Sequence, residues 1–376
     1  MASTLMLLAN PYRPDPRVQL EARALADAGH KVTILAWSRD SGEKGASKDG
    51  PVEVVRVGPR CPFRSAAKML TRLPMYWLAA MRAARGMQFD IVHSHDLDTL
   101  PAGLLIGWMS GRPVLYDAHE LYAAMVKDDV GPMFRPLRAL ESLLVRRADA
   151  VITVSDTLAQ ELSKGRGERP RVVMTSPDAT PLTGAESRAV RERYGLSGFV
   201  LSYLGSLGPG RFVEQLLGAF TPEDGVTVLV AGKGSLEGAV EGVQGRPHVR
   251  YVGSVSTEEA LKLTAASDLV TAMMDPANPN NVVGTPGKVL NSMALARPYI
   301  TTRGLRIAEM TERVGSGLVA GYDRDSFRDA VLKVRKDPKA LVEMGRRGRA
   351  HFESDLSWTK SRGELLEAYD SLLGAR

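Results

Sequence analysis

Short apolar runs bounded by Gly, Pro or Asp alternate with stretches of helical period along nearly the whole chain of 376 residues. This rhythm constrains the fold more than any single residue does, because parallel strands joined by crossover helices produce it. In the first half the runs fall at 5–9, 31–37, 52–57, 91–94, 114–117, 151–154 and 171–174. In the second they fall at 199–204, 226–231, 249–252, 269–272, 299–302 and 317–319. Between the first two runs Val18, Ala22, Leu25 and Ala26 share one helical face, and Gly29 stands where such a helix stops. A polar stretch at 177–186 separates the two series. Single cores stop growing near about 250–300 residues, so two doubly wound parallel-sheet α/β domains are expected, at 1–180 and 181–357. From Asp337 the pattern is helical to the end, and a last helix within 358–376 is expected to pack back on the first domain.

The single cysteine, Cys61, excludes an intramolecular disulfide framework, zinc ribbons and iron–sulfur clusters, and reads as cytosolic usage. Residues 1–9 are apolar with no basic segment before them, so they read as a first strand and not as a signal peptide. The longest other apolar stretch, 100–109, is far short of the ~20 residues that span a bilayer. A net charge of +6 suits anionic partners. The segment 64–85 mixes Lys68, Arg72, Arg82 and Arg85 with Leu73, Tyr76, Trp77 and Met81. It reads either as a basic amphipathic helix on anionic lipid or as a crossover helix covering the sheet.

In open parallel sheets, ligands sit beyond the carboxyl ends of strands, where helix N-termini present N–H groups. Three such loops are glycine-rich. The first, 205–212, nearly has P-loop spacing, but Arg211 replaces the lysine and Phe212 the magnesium-binding hydroxyl, which excludes a P-loop ATPase. The second, Gly232-Lys233-Gly234-Ser235, is either a ligand cradle or a tight strand-to-helix turn, and it fails the dinucleotide fingerprint. The third, 283–288, with Gly284, Thr285, Pro286, Gly287 and Lys288, opens a helix expected from Val289 and suits a diphosphate. Among the histidines, His119 lies just past a strand end, where a catalytic role is plausible. His93 and His95, on the strand ending in Asp96, either reach the cleft or pack. No pair of histidines has helix-face ligand spacing with a carboxylate, so no bound metal is expected.

Several segments then resemble a known family. These are Asp15-Pro16-Arg17-Val18, Ala28-Gly29-His30-Lys31-Val32, His95-Asp96-Leu97-Asp98, Tyr116-Asp117-Ala118-His119-Glu120, Asp149-Ala150-Val151-Ile152-Thr153-Val154-Ser155 and Pro286-Gly287-Lys288. Their kind and order resemble the family 4 (group 1) retaining glycosyltransferases over nearly the whole chain. The resemblance implies the GT-B architecture, two Rossmann-like domains facing across a cleft. It implies a nucleotide diphosphate sugar as donor, held by Ser206, Arg211, Gly232, Thr285, Pro286, Gly287 and Lys288, with Ser254 and Val255 at the base through their backbone. His119 would approach the transferred sugar as the catalytic residue, and Arg13, His95 and Asp96 would lie on the acceptor side of the cleft. Many members carry a basic residue where Ser206 stands. Many also carry two glutamates at the positions of Val283 and Asn291; Asn291 can still bind ribose, and Asp275, Asn278, Asn280 or Asn281 would have to serve the donor sugar.

The reaction implied is transfer of a hexose to a hydroxyl with retention of configuration, without metal or cofactor. The acceptor would be a carbohydrate or lipid-linked molecule of the cell envelope. The enzyme would be cytoplasmic, or peripheral on the inner face of an anionic membrane, with no nucleic-acid partner. A nucleotide-sugar epimerase of the same fold and a non-catalytic glycosyltransferase-like subunit are the alternatives.

Overall fold

The computed structural model describes residues 1–12, 15–39, 44–61, 66–126, 131–164, 166–243 and 245–374. The chain divides into two compact units, Met1–Thr175 with Thr359–Arg376, and Ser176–Trp358.

In the first unit the strands are β1 Ser3–Leu8, β2 Lys31–Trp37, β3 Gly45–Asp49, β4 Val52–Val57, β5 Ile91–His95, β6 Val114–Ala118, β7 Ala150–Thr153 and β8 Arg171–Val172. They form one sheet in the order β3-β4-β2-β1-β5-β6-β7-β8. All the expected strands pair in parallel; the interiors of β1, β2, β5, β6 and β7 are largely buried on both faces, whereas β4 has Glu53, Val55 and Arg56 half-buried. β3 was not expected. Its sequence, GASKD, is exposed and lacks apolar alternation, and it adds antiparallel to β4 at the sheet edge. β8 is shorter than the expected 171–174: Val173 N–H still donates to Thr153 O, but the Val173 carbonyl accepts from Arg17 and Met174 N–H donates to Ser361 Oγ.

The first helix, Pro16–Asp27, is capped by Asp15, whose side chain accepts from Val18 N–H at 3.2 Å, and carries Pro at its first position. Val18, Ala22 and Leu25 are buried as their spacing predicts, whereas Ala26 is half-buried. Arg17 and Glu21 are buried beside them, which the periodicity does not reveal. Over one face of the sheet lie the helices Ala66–Ala84, Leu100–Ser110 and Phe134–Val145, whose inward residues Tyr76, Ile106 and Val145 join Leu7, Val92, Tyr116 and Val151 in one core. The last helix, Trp358–Gly374, belongs to this unit and buries Leu365, Tyr369 and Leu372.

The second unit has strands β9 Phe199–Leu204, β10 Val226–Ala231, β11 Val249–Tyr251, β12 Leu269–Ala272, β13 Tyr299–Thr302 and β14 Gly317–Ala320. All are parallel, in the order β11-β10-β9-β12-β13-β14. The helix expected from Val289 begins two residues earlier, as Gly287–Ala294, with Pro286 at its N-cap. A short helix, Pro279–Val283, precedes it and was not expected. Its start signal, Asn278 as cap followed by Pro279, reads equally well as a turn.

Strand order reverses between β1 and β5 in the first sheet and between β9 and β12 in the second, and crevices form beyond the carboxyl ends of strands at such points. Backbone strain concentrates there as well. Of the four non-glycine residues with positive φ among the described residues, three lie in loops after these strands: Tyr12 at 56°, Asp96 at 61° and Phe212 at 64°. No helix among the described residues is long and apolar enough to cross a membrane.

Candidate functional site

At the first switch point, His119 sits just past β6 between two carboxylates. Its Nε2 lies 2.8 Å from Asp117 Oδ2 and its Nδ1 3.2 Å from Asp96 Oδ2, while Asp96 Oδ1 accepts the His119 backbone N–H at 3.2 Å. Burial opposes the imidazolium, but Asp96 and Asp117 outweigh it and raise the pKa to about 10. Burial also works against the Asp117 carboxylate, yet Arg17 and His119 hold it well below the usual range. His119 is therefore a fixed cation whose two ring nitrogens are both engaged. It is not a neutral base at pH 7.

Behind this pair lies a layer that the sequence pattern did not reveal. Arg17 donates through Nε and Nη2 to the two oxygens of Asp117, the bidentate arrangement, and through Nη1 to Val173 O and Thr175 Oγ1. Its Nη2 also lies 3.0 Å from Glu21 Oε1. Glu21, fully buried, is pushed up to about 8 by burial, with Arg17 opposing. Asp98, next to this site in sequence, is likewise raised to about 8 by burial and then by Asp96.

His95 was expected on the acceptor side and His93 either there or packed; neither reaches solvent. The rings stack with centroids 4.3 Å apart, His95 Nδ1 lies 3.0 Å from Asp117 Oδ2, and His93 Nδ1 meets the Tyr369 hydroxyl at 2.9 Å. Both are core residues: His95 holds Asp117, and His93 stacks on His95. Arg13 lies outside the described residues.

The fold also gathers Glu21, His93, His95 and Asp117 with ligand atoms within 4.8 Å of one another, a grouping close enough to hold a metal ion. The grouping does not come from histidines spaced along one helix face, the pattern sought in the sequence. Sequence spacing cannot show it, because the four residues come from one helix and two strands. The cation lying against both carboxylates is the Arg17 guanidinium.

At the second switch point three loops are tied together by main-chain hydrogen bonds. Gly205 N–H donates to Ala231 O, Leu207 N–H to Lys233 O and Gly232 N–H to Gly253 O, each at 2.9 Å. A Cβ at Gly232 would overlap the Gly205 carbonyl, and one at Gly234 would overlap that of Leu207. The glycines of the second loop are thereby explained by backbone packing. Gly232→Ala, at φ 147°, is expected to lower stability by about 1–3 kcal/mol, read as a shifted denaturation midpoint.

Lys288, the second residue of its helix, places Nζ 3.3 Å from the centre of the Tyr203 ring. Burial, and then the neighbouring charge of Arg211, holds its pKa well below the ordinary lysine value. Arg211 itself is exposed, with Nη1 3.4 Å from Met274 Sδ. Among the described residues, neither cation has a carboxylate within 4 Å. The Asp275 N–H donates to Gly210 O at 2.9 Å, which joins the loop after β12 to the one carrying Arg211. Asn278 and Asn281 commit their side chains to local backbone, at Asn280 N and Asp275 O. Ser206, Ser254 and Gly287 are exposed, and Gly232, Val255, Thr285, Pro286 and Asn291 are half-buried around these loops.

Two parallel-sheet α/β units, each with its strained loops where strand order reverses, define a chain of the GT-B class. Residues 14–178 match the Glycosyl transferase 4-like domain and residues 199–337 the Glycosyl transferases group 1 domain. The D-inositol 3-phosphate glycosyltransferase of Mycolicibacterium smegmatis is 26% identical over 93% of this chain and 83% of its own length. Among solved structures, sucrose-phosphate synthase from Thermosynechococcus elongatus superposes with a TM-score of 0.78 at 18% identity, over 100% of both chains. Anabaena HepE in complex with UDP-glucose gives 0.75 at 14%, over 99% of this chain and 100% of that one. The chain belongs to the group 1, family 4 glycosyltransferases.

Proposed function

We propose that this glycosyltransferase takes a sugar from a nucleotide diphosphate donor and passes it to an acceptor hydroxyl with retention of anomeric configuration. The observation that carries this reading is the pair Arg211 and Lys288, two cations without a carboxylate partner among the described residues, at a helix N-terminus and a strand-order switch. Such a pair wants a dianion. The UDP-glucose bound by the structural relative HepE agrees with it. Family membership sets the epimerase aside.

Catalysis would rest on positioning and on stabilising the leaving diphosphate. Arg211, Lys288 and the N–H groups that begin Gly287–Ala294 supply the positive field, which supports a metal-independent reaction. His119 meets the transferred sugar as a charged, immobilised group. Asp275, whose Oδ1 accepts the Ala277 N–H at 2.8 Å, would offer its other carboxylate oxygen to a sugar hydroxyl in a chain that carries Val283. A lipid-linked acceptor at an anionic membrane face fits the net charge of +6. Thermal shift against a panel of nucleotide sugars tests donor binding: one donor should raise the melting temperature, and the absence of any shift across the panel at millimolar concentration would count against the reading.

Asn291, the fifth residue of its helix, stands at the ribose position and offers both a donor and an acceptor. Asn291→Ala is expected to raise the donor KM several-fold with little change in kcat, as loss of uniform binding does. A collapse of kcat at saturating donor would instead place Asn291 in the chemical step.

A further inference from the structure

The three helices that cover one face of the first sheet, Ala66–Ala84, Leu100–Ser110 and Phe134–Val145, also present an outer surface that the transfer reaction does not use. Trp108 is 81% exposed, and Met75, Leu78, Leu105, Met109 and Leu143 are each 45–50% exposed. Most of the exposed large apolar side chains among the described residues lie on these helices. Leu105, Trp108 and Met109 share one helical face, as do Met75 and Leu78, so the patch follows from helical geometry and not from chance scatter.

On the three helices themselves the exposed charge has one sign; the acids bordering them, Asp90 and Glu161, are paired with Arg112 and Arg138. The helix Leu100–Ser110 carries no charged residue, and Ala66–Ala84 carries no acidic one. The only acid on the three is Glu141, which is buried and accepts the backbone N–H groups of Tyr122 and Ala123. Arg72, Arg82 and Arg85 are exposed along the first helix, and Arg146 and Arg147 follow the third.

We propose that this face lies on an anionic lipid bilayer. Arginines bordering an apolar patch with an exposed tryptophan match a membrane interface, where headgroups take the charge and the patch enters the acyl boundary. A second copy of this chain does not fit as the occupant. An isologous dimer through this face would set arginine against arginine with no exposed acid on these helices to answer them, and the bordering Asp90 and Glu161 already pair with Arg112 and Arg138. The inference deepens the membrane-borne acceptor reading by assigning the surface. It is tested without transfer, so the two can fail separately.

Co-sedimentation of the full chain with phosphatidylcholine vesicles, with and without phosphatidylglycerol, measures it. Binding is expected to the anionic vesicles alone and to weaken as salt rises. Arg82→Glu/Arg85→Glu and, separately, Leu105→Ser/Trp108→Ser should each lose at least about tenfold in partitioning while circular dichroism and melting temperature stay unchanged. Quenching by brominated lipid should be lost in Trp108→Phe, which keeps the fold. Wild-type protein that ignores anionic vesicles at low salt, or double variants that bind as wild type does, would overturn the proposal. So would sedimentation velocity showing that Leu105→Ser/Trp108→Ser dissolves a dimer.

Discussion

Replacing Asp117 by asparagine is expected to lower kcat by about 10²-fold and to destabilise the fold by about 3–5 kcal/mol. Asp117 is fully buried and accepts from Arg17, His95 and His119 at once. Its loss leaves the Arg17 guanidinium, 7% exposed, without its bidentate partner, and frees the imidazole it holds. The pH dependence has a definite sign. Asp117 has a depressed pKa in the fold, so its contribution is present above its unfolded value of about 3.9 and fades only as pH falls well below that. His119 has a raised one, so its contribution is full below about 6.5 and is lost as pH rises toward about 10. Stability of the wild type should therefore decline through the alkaline range, less steeply in Asp117→Asn. Denaturation midpoints of both proteins across that range check the slope, and steady-state kinetics check the rate. An Asp117→Asn enzyme with wild-type kcat would show that His119 needs no such anchor.

The double variant Arg211→Ala/Lys288→Ala is expected to lose nucleotide diphosphate binding almost entirely. Each charge-assisted hydrogen bond is worth about 1.5–3 kcal/mol, which is roughly 10- to 150-fold in affinity. Lys288 adds a signature that Arg211 does not. Its pKa lies well below the ordinary value when the site is empty, because of burial and of Arg211, and a bound diphosphate reverses that balance. As pH rises through that lowered pKa, donor binding should take up an increasing share of a proton, seen calorimetrically as an enthalpy that varies with the ionisation enthalpy of the buffer. Lys288→Arg, charged throughout, should bind without that uptake. Unchanged affinity in the double variant would move the donor elsewhere.

Most strands were legible because they are largely buried and read as short apolar runs between turn residues, as β2, β9, β10, β12 and β13 show at matching bounds, while β4 was legible from its valines although Glu53 and Arg56 are half-buried. β3 was not, because an exposed edge strand needs no apolar pattern. The glycine-rich loops could be found because glycine at a strand end leaves a visible mark, although at Gly232 the mark records backbone packing. His119 was legible from its place after β6. The network that sets its charge was not. Arg17 reads as a solvent-facing residue in a first helical turn, and only the sheet order brings it to Asp117, 100 residues away. Buried ion pairs are tertiary facts of this kind, because each member alone looks like a surface charge.

The most direct test is incubation of the purified enzyme with a panel of nucleotide diphosphate sugars and a set of acceptor hydroxyls, with released nucleotide diphosphate and product anomer followed by NMR. At least one donor should be turned over to a glycoside that keeps the donor's anomeric configuration, with undiminished rate after exhaustive chelation. An inverted product, a rate abolished by chelation and restored by magnesium or manganese, or no consumption of any donor that binds would contradict the account.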